Sequence, residues 1–262
     1  MAEENERSVV AQKVLMVFDF DHTLVDENSD LYVRKLAPNG ELPEEISSLY
    51  QDDGWTNYMG EIFKYLHRNG STPENILNCM SEISLTEGIQ ELLHFTRKST
   101  SFEHIIISDS NSVFIDHILK KNQLSSLFRT FTNPARFEDN GCLIIEQYHT
   151  QDWCPLSTVN LCKGHILNEF ISERQQHGVT YHHVIYVGDG FNDLCPGLAL
   201  RPQDFLMPRV GFKLHKVIEK MAEKNKPVPR SKLEASVVPW SSGLDILQHL
   251  RNLPFVKTGQ SS

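Results

Sequence analysis

The chain has 262 residues, 40% of them hydrophobic and 23% charged, with 34 acidic side chains against 25 basic ones and a net charge of −9. That length holds one large domain or a core with a smaller accessory domain, and the composition is that of an ordinary soluble globular protein. The acidic excess argues against broad electrostatic binding of nucleic acid or an anionic membrane, and no apolar run approaches the roughly 20 residues needed to span a bilayer.

The first ten residues are polar and acidic, without the basic start and apolar stretch of a secretion signal. The expectation is a cytoplasmic protein with no obligate protein partner. Lys13–Phe18 is a short apolar run that stops abruptly at Asp19-Phe-Asp21, the pattern of a buried strand delivering carboxylates into a loop. From about Asn28 to Ser99 no strand stands out, and the patterns predict helices over Leu42–Leu49, Tyr58–Leu66 and Pro73–Ile83. Tyr50, Trp55, Tyr58, Phe63 and Tyr65 gather there, most of them as that region's own core, with one or two facing a substrate.

His104–Ile107 then runs into Ser108-Asp109, and His183–Val187 into Gly188-Asp-Gly190. Helical patterns lie between them at Val113–Leu119 and Leu161–Ile171. Strands alternating with helices predict an α/β fold with a Rossmann-like parallel sheet covered on both faces. In such sheets ligands bind beyond the carboxyl ends of the strands, where all three polar clusters fall. The domain reading is a discontinuous core of residues 13–27 and 100–250, an inserted helical cap of 28–99, and tails at 1–12 and 251–262.

A carboxylate such as Asp19 can attack a phosphoryl group and hold it as an acyl phosphate. Asp21 can protonate the leaving oxygen and later take a proton from water. Such a pair is a weak signal by itself, because acids in loops are often solvated or only bind a metal. Asp189 and Asp193 add two more acids at another strand end. Asp19, a backbone carbonyl at Asp21 and Asp189 together offer the hard oxygen donors that Mg2+ takes, although an acidic loop capping a helix is the plainer reading of Gly188–Asp193. Ser108 can donate to a phosphate oxygen or cap a helix. Lys163 can neutralise phosphate and nucleophile together, although a lysine taken singly is more often a solvated charge.

Asp19-Phe-Asp-His-Thr23, Ser108, Lys163 and Gly188-Asp-Gly-Phe-Asn-Asp193 resemble, in order, the four motifs of the haloacid dehalogenase superfamily. An acid at both ends of the first motif resembles the phosphatase branch. Val25–Asp30, Phe63–Leu66, Ile107–Asn111, Asn160–Lys163 and Val238–Trp240 are similar to the phosphoethanolamine/phosphocholine phosphatase family, over about residues 13–250. Ile105–Asp116 and Phe131–Ala135 look most like its pyridoxal phosphate phosphatase branch. The resemblance implies Asp19 as nucleophile, Asp21 as proton donor, Mg2+ at Asp19, Asp21 and Asp189 with Asp193 in support, and substrate contacts at Asp30 and Asp109.

The five cysteines, Cys79, Cys142, Cys154, Cys162 and Cys195, read as free thiols rather than a disulfide framework. A zinc site of Cys154, Cys162 and His149 is the weaker reading, since no CxxC pair is present, and Tyr148–Cys162 departs there from the family's pattern. The leading function is Mg2+-dependent hydrolysis of a small phosphorylated metabolite, with pyridoxal 5'-phosphate ahead of phosphoethanolamine, phosphocholine and pyrophosphate. A phosphotransferase or mutase would share the intermediate and change the acceptor. A non-catalytic phosphate-binding scaffold is the reading from another class, and the presence of every acid the chemistry needs weighs against it.

Overall fold

The computed structural model describes residues 11–50, 54–222, 233–254 and Val256. Three apolar runs become the centre of a sheet: β1 (Ala11–Phe18), β2 (Phe102–Asn111) and β6 (Val179–Gly188). Each is buried on both faces. Met16, Phe18, Ile106, Ile185 and Val187 point into one core, while Leu15, Val17, Ile105, Ile107, Val184 and Tyr186 point into the other. This alternation explains why the runs carry no polar face. With β3 (Phe128–Asn133), β7 (Phe205–Pro208) and β8 (Ser236–Val237) the order is β3-β2-β1-β6-β7-β8, all parallel. The short strands β4 (Ala135–Phe137) and β5 (Leu143–Ile145) pair antiparallel as a separate hairpin.

The short helices α1 (Ser29–Tyr32) and α2 (Glu44–Ser47) precede α3 (Trp55–Arg68), α4 (Pro73–Ser81) and α5 (Ile89–Thr96). They all lie between β1 and β2, where no named strand interrupts them among the described residues. Next come α6 (Ser112–Lys121) after β2, α7 (Lys163–Gln176) before β6, and α8 (Leu194–Leu198) after it. Two more, α9 (Lys213–Ala222) and α10 (Gly243–Asn252), flank β8. Helices α3 to α6 and α10 close the first core, with Phe63 of α3 edge-on to Phe114 of α6 at 5.7 Å. The second core is closed mainly by α7, through Ile166, Leu167 and Phe170.

Three expectations shift. The helix predicted over Leu42–Leu49 is only Glu44–Ser47. The helix predicted from Leu161 begins at Lys163, because Thr158 and Leu161 pair across a tight loop before it. Ser108 does not cap α6; Asn111 does, its side-chain oxygen accepting from the Phe114 N–H at 3.1 Å. Residues 1–10, 257–262 and Phe255, from the expected tails, lie outside the described residues, while Ala11 and Gln12 belong to β1 and α10 runs to Asn252. Among the described residues, no helix is long and apolar enough to cross a membrane.

Candidate active site

The strand order reverses between β1 and β6, and a cleft opens beyond their carboxyl ends. Asp19 follows the last residue of β1, Asp189 the last of β6, and Ser108 and Asp109 lie near the end of β2. These four, with Asp21 and Asp30, line an open cleft of about 770 Å3, a size suited to a small molecule. Lys163 and Asp193 pair with each other next to Asp19, both with fully buried side chains.

Asp19 is held from two sides. Its Oδ1 accepts from the Phe20 N–H at 2.7 Å, and its Oδ2 pairs with Lys163 Nζ at 2.9 Å. Lys163 opens α7 and also donates to Asp193 Oδ1 at 2.8 Å. Burial lowers the pKa of the ammonium, but the carboxylates of Asp19, Asp193 and Asp109 outweigh it and hold the lysine charged. Asp193 has little capacity left. Tyr186 Oη donates to Oδ1 at 2.7 Å, while the N–H groups of Asp189 and Gly190 donate to Oδ2 at 3.0 and 2.8 Å.

The chain turns sharply over Phe20–Leu24, with His22 at a φ of 54°. This turn carries the Asp21 carboxylate to Ser29, whose N–H and hydroxyl both donate to it at 3.1 Å. Burial and the nearby Asp30 push the Asp21 pKa well above the ordinary carboxylate range, against those two hydrogen bonds. Burial also raises Asp19 to about 7, opposed by Lys163, and Asp189 to about 8, reinforced by Asp19 and Asp193. Oxygens of Asp19, Asp189 and Asp193 lie within 4.8 Å of one another, the spacing of a cation site, whereas Asp21 is not among the three.

Ser108 Oγ accepts from the Ser110 N–H at 3.2 Å, which leaves its own proton available to a ligand. The two acids singled out for substrate contact differ in their surroundings. Asp109 accepts from Thr158 Oγ1 at 3.3 Å, Asn160 Nδ2 at 3.4 Å and Asn192 Nδ2, so both its oxygens are engaged. Asp30 accepts from Trp55 Nε1 at 2.8 Å through Oδ2, while the buried Oδ1 has no partner. Of the aromatics gathered between β1 and β2, Tyr50 and Trp55 line the cleft and Tyr58 and Phe63 are buried.

Sequence reasoning missed several members of the site. Thr158, Asn160 and Asn192 carry no signal of their own, because each acts through Asp109, 49 or more positions away, and Ser29 acts only through the turn that brings Asp21 to it. Tyr186 left one trace: a hydroxyl inside the apolar run Val184–Val187 needs a buried partner. Lys213, at the start of α9, lines the cleft and was also passed over. In the cysteine segment, His149 Nε2 accepts from the Cys162 N–H at 2.8 Å, and Cys195 joins Cys154 and Cys162.

A family model described as Putative Phosphatase matches residues 14–254. The chain is 44% identical over 243 residues to the pyridoxal phosphate phosphatase PHOSPHO2 of Homo sapiens, covering 92% of this chain and 98% of that one. It is 37% identical over 245 residues to the phosphoethanolamine/phosphocholine phosphatase of Homo sapiens, covering 93% and 90%. A solved phosphoserine phosphatase, in the form of a phospho-aspartyl intermediate analogue, superposes with a TM-score of 0.59 at 17% identity, covering 91% of this chain and 99% of that one. At that identity the likeness shows the fold.

Proposed function

The chain belongs to the putative phosphatase family and is a phosphatase with the haloacid dehalogenase fold, and from that premise we propose that it hydrolyses pyridoxal 5'-phosphate through an aspartyl-phosphate on Asp19. The observation that carries this reading is the pairing of Asp19 with the buried Lys163 beside a differently held Asp21. The lysine favours an ionised nucleophile. Burial and Asp30 favour the protonated form of Asp21, the form an acid must present.

In the first step an Asp19 oxygen attacks phosphorus, the bond to the leaving oxygen breaks, and Asp21 gives that oxygen its proton. In the second, Asp21, now a carboxylate, takes a proton from water as the water oxygen attacks the phosphorus of the acyl phosphate. Inorganic phosphate leaves, and Asp19 returns as a carboxylate. Ser108 donates to a phosphoryl oxygen, and Lys163 balances charge at the nucleophile.

The donors fit Mg2+: hard carboxylates converge at Asp19 and Asp189 with the single ammonium of Lys163 beside them, and burial, with the neighbouring acids, raises both carboxyls. Asp193 is already saturated with hydrogen bonds, so Asp19 and Asp189, with the main-chain carbonyl of Asp21, would hold the ion. When bound, it would supply charge neutralisation at the phosphoryl oxygens.

Residues 28–99 serve in this reading as a cap that shapes the substrate end. Tyr50 and Trp55 offer ring surfaces, and Asp30, held by Trp55 Nε1, adds a carboxyl to the same wall. A flat ring with polar edges suits this arrangement. Phosphoethanolamine and phosphocholine are the second reading, favoured by the negative charge of Asp30 and Asp109, but the Asp109 oxygens are already engaged. The test is phosphate release with Mg2+ from pyridoxal 5'-phosphate, phosphoethanolamine, phosphocholine and pyrophosphate. Pyridoxal 5'-phosphate is expected to lead, with its turnover abolished in Asp19→Asn and by chelation. A lead by either amine substrate would replace the substrate assignment, and release that survives Asp19→Asn would remove the nucleophile.

A further inference from the structure

Close in sequence to Lys163 and Asp193, three thiols meet. Cys154 lies in the loop before α7, Cys162 is the residue that caps α7, and Cys195 lies in the first turn of α8. The Sγ atoms of Cys154 and Cys195 are 3.4 Å apart, those of Cys162 and Cys195 3.8 Å, and all three fall within 4.8 Å of one another. Tetrahedral zinc with Zn–S bonds of about 2.3 Å places its sulfurs roughly 3.8 Å apart. We propose that Cys154, Cys162 and Cys195 form a three-thiolate site for Zn2+, separate from the carboxylate cluster of the cleft.

Three further features fit a built site. The loop that carries Cys154 is wrapped around the buried side chain of Gln151. That side chain donates to the carbonyls of Cys154, Ser157 and Thr158 at 3.2, 3.3 and 2.9 Å and accepts from the Cys154 N–H at 2.8 Å. Ser157 Oγ donates to Cys162 Sγ at 3.3 Å, the outer-shell bond that steadies a thiolate. A Cβ on Gly164 would sit 2.7 Å from Cys195 Sγ, so only glycine lets α8 bring its sulfur against the first turn of α7. A disulfide between Cys154 and Cys195 would leave Cys162 with no role in the convergence.

Cys162 directly precedes Lys163, and Cys195 follows Asp193 by two positions. Zinc here therefore staples together the two backbones that hold the Lys163–Asp193 pair. Its role is positional. Cys154 and Cys195 are partly exposed, so solvent completes the coordination shell.

The test uses the full chain with Co2+ as the probe, in excess Mg2+ so that the carboxylate cluster is filled by the harder ion. Wild type is expected to show a sulfur-to-cobalt charge-transfer band at one cobalt per chain, erased by one equivalent of Zn2+. The band is expected to vanish in Cys195→Ser with unchanged far-ultraviolet circular dichroism. If that variant fails to fold, Cys154→Ser on the exposed loop supplies the same readout, as does thiol alkylation of the wild type before metal is added. No band in the wild type, a band that survives loss of the thiols, or a Cys154–Cys195 disulfide in the isolated protein would each overturn the proposal.

Discussion

Asp19 and Asp21 are separated by one residue yet have opposite tasks, and their immediate contacts divide them. Asp19 faces an ammonium, whereas Asp21 faces two neutral donors and a neighbouring acid. If Asp21 is the proton donor, Asp21→Asn should lower kcat by about 10²–10⁴-fold on substrates with alkoxide leaving groups. On 4-nitrophenyl phosphate, whose leaving group needs little help, the variant should give a rapid burst of nitrophenol followed by slow phosphate release. Equal losses on both substrate types without a burst would assign Asp21 another role. The positions of Asp19, Asp21, Ser108, Asp109 and Asp189 were legible because polar groups follow directly on apolar runs. Lys163–Asp193, Trp55–Asp30 and the meeting of Cys195 with Cys154 were not, since each contact spans 25 or more positions.

At the level of elements, α5 and α10 meet in close backbone contact. Gly88, at a φ of 77°, caps α5 while its backbone touches Gly243 at the start of α10, and the Gly243 N–H donates to the Glu87 carbonyl at 2.7 Å. A Cβ on Gly243 would lie 2.3 Å from the Gly88 carbonyl carbon. Gly243→Ala should therefore destabilise the protein by about 1–3 kcal/mol or more, measured by urea unfolding. An unchanged midpoint would mean that the junction yields freely. The long buried strands and α3, α4, α6 and α7 could be read from periodicity because each fills a whole face of a core. The edges could not, since β7 has four residues, β8 two, and β4 and β5 three each, too few for any period to show. The predicted Leu42–Leu49 helix shrank to one turn because only Leu42 and Ile46 reach the first core, both partly buried, while Leu49 is 47% exposed.

For the whole molecule, one buried histidine gives stability a pH dependence of known sign. His104 on β2 is 4% exposed, its Nε2 lies 2.8 Å from Thr96 Oγ1, and Phe102 and Phe128 pack against its ring. Burial lowers its pKa to about 4. The unfolded chain therefore binds the proton more strongly. The contribution is complete above the ordinary histidine pKa of about 6.5 and is lost as pH falls from there towards 4. Between pH 7 and pH 5, wild type should lose about 2 kcal/mol of unfolding free energy relative to His104→Asn, a comparison in which the shared carboxylates cancel. Parallel curves for the two proteins would contradict it. The parallel sense of the sheet was implied by the strand–helix alternation, whereas its strand order, with the reversal beside β1, was not, and this topology is what gathers acids from distant segments at one cleft.

The most direct test of the account is to quench the enzyme with acid during turnover of ³²P-labelled substrate and map the label by peptide. The account expects hydroxylamine-sensitive label on the peptide containing Asp19, absent in Asp19→Asn and accumulating in Asp21→Asn. Label on another residue, or turnover with no labelled protein at any time, would contradict it.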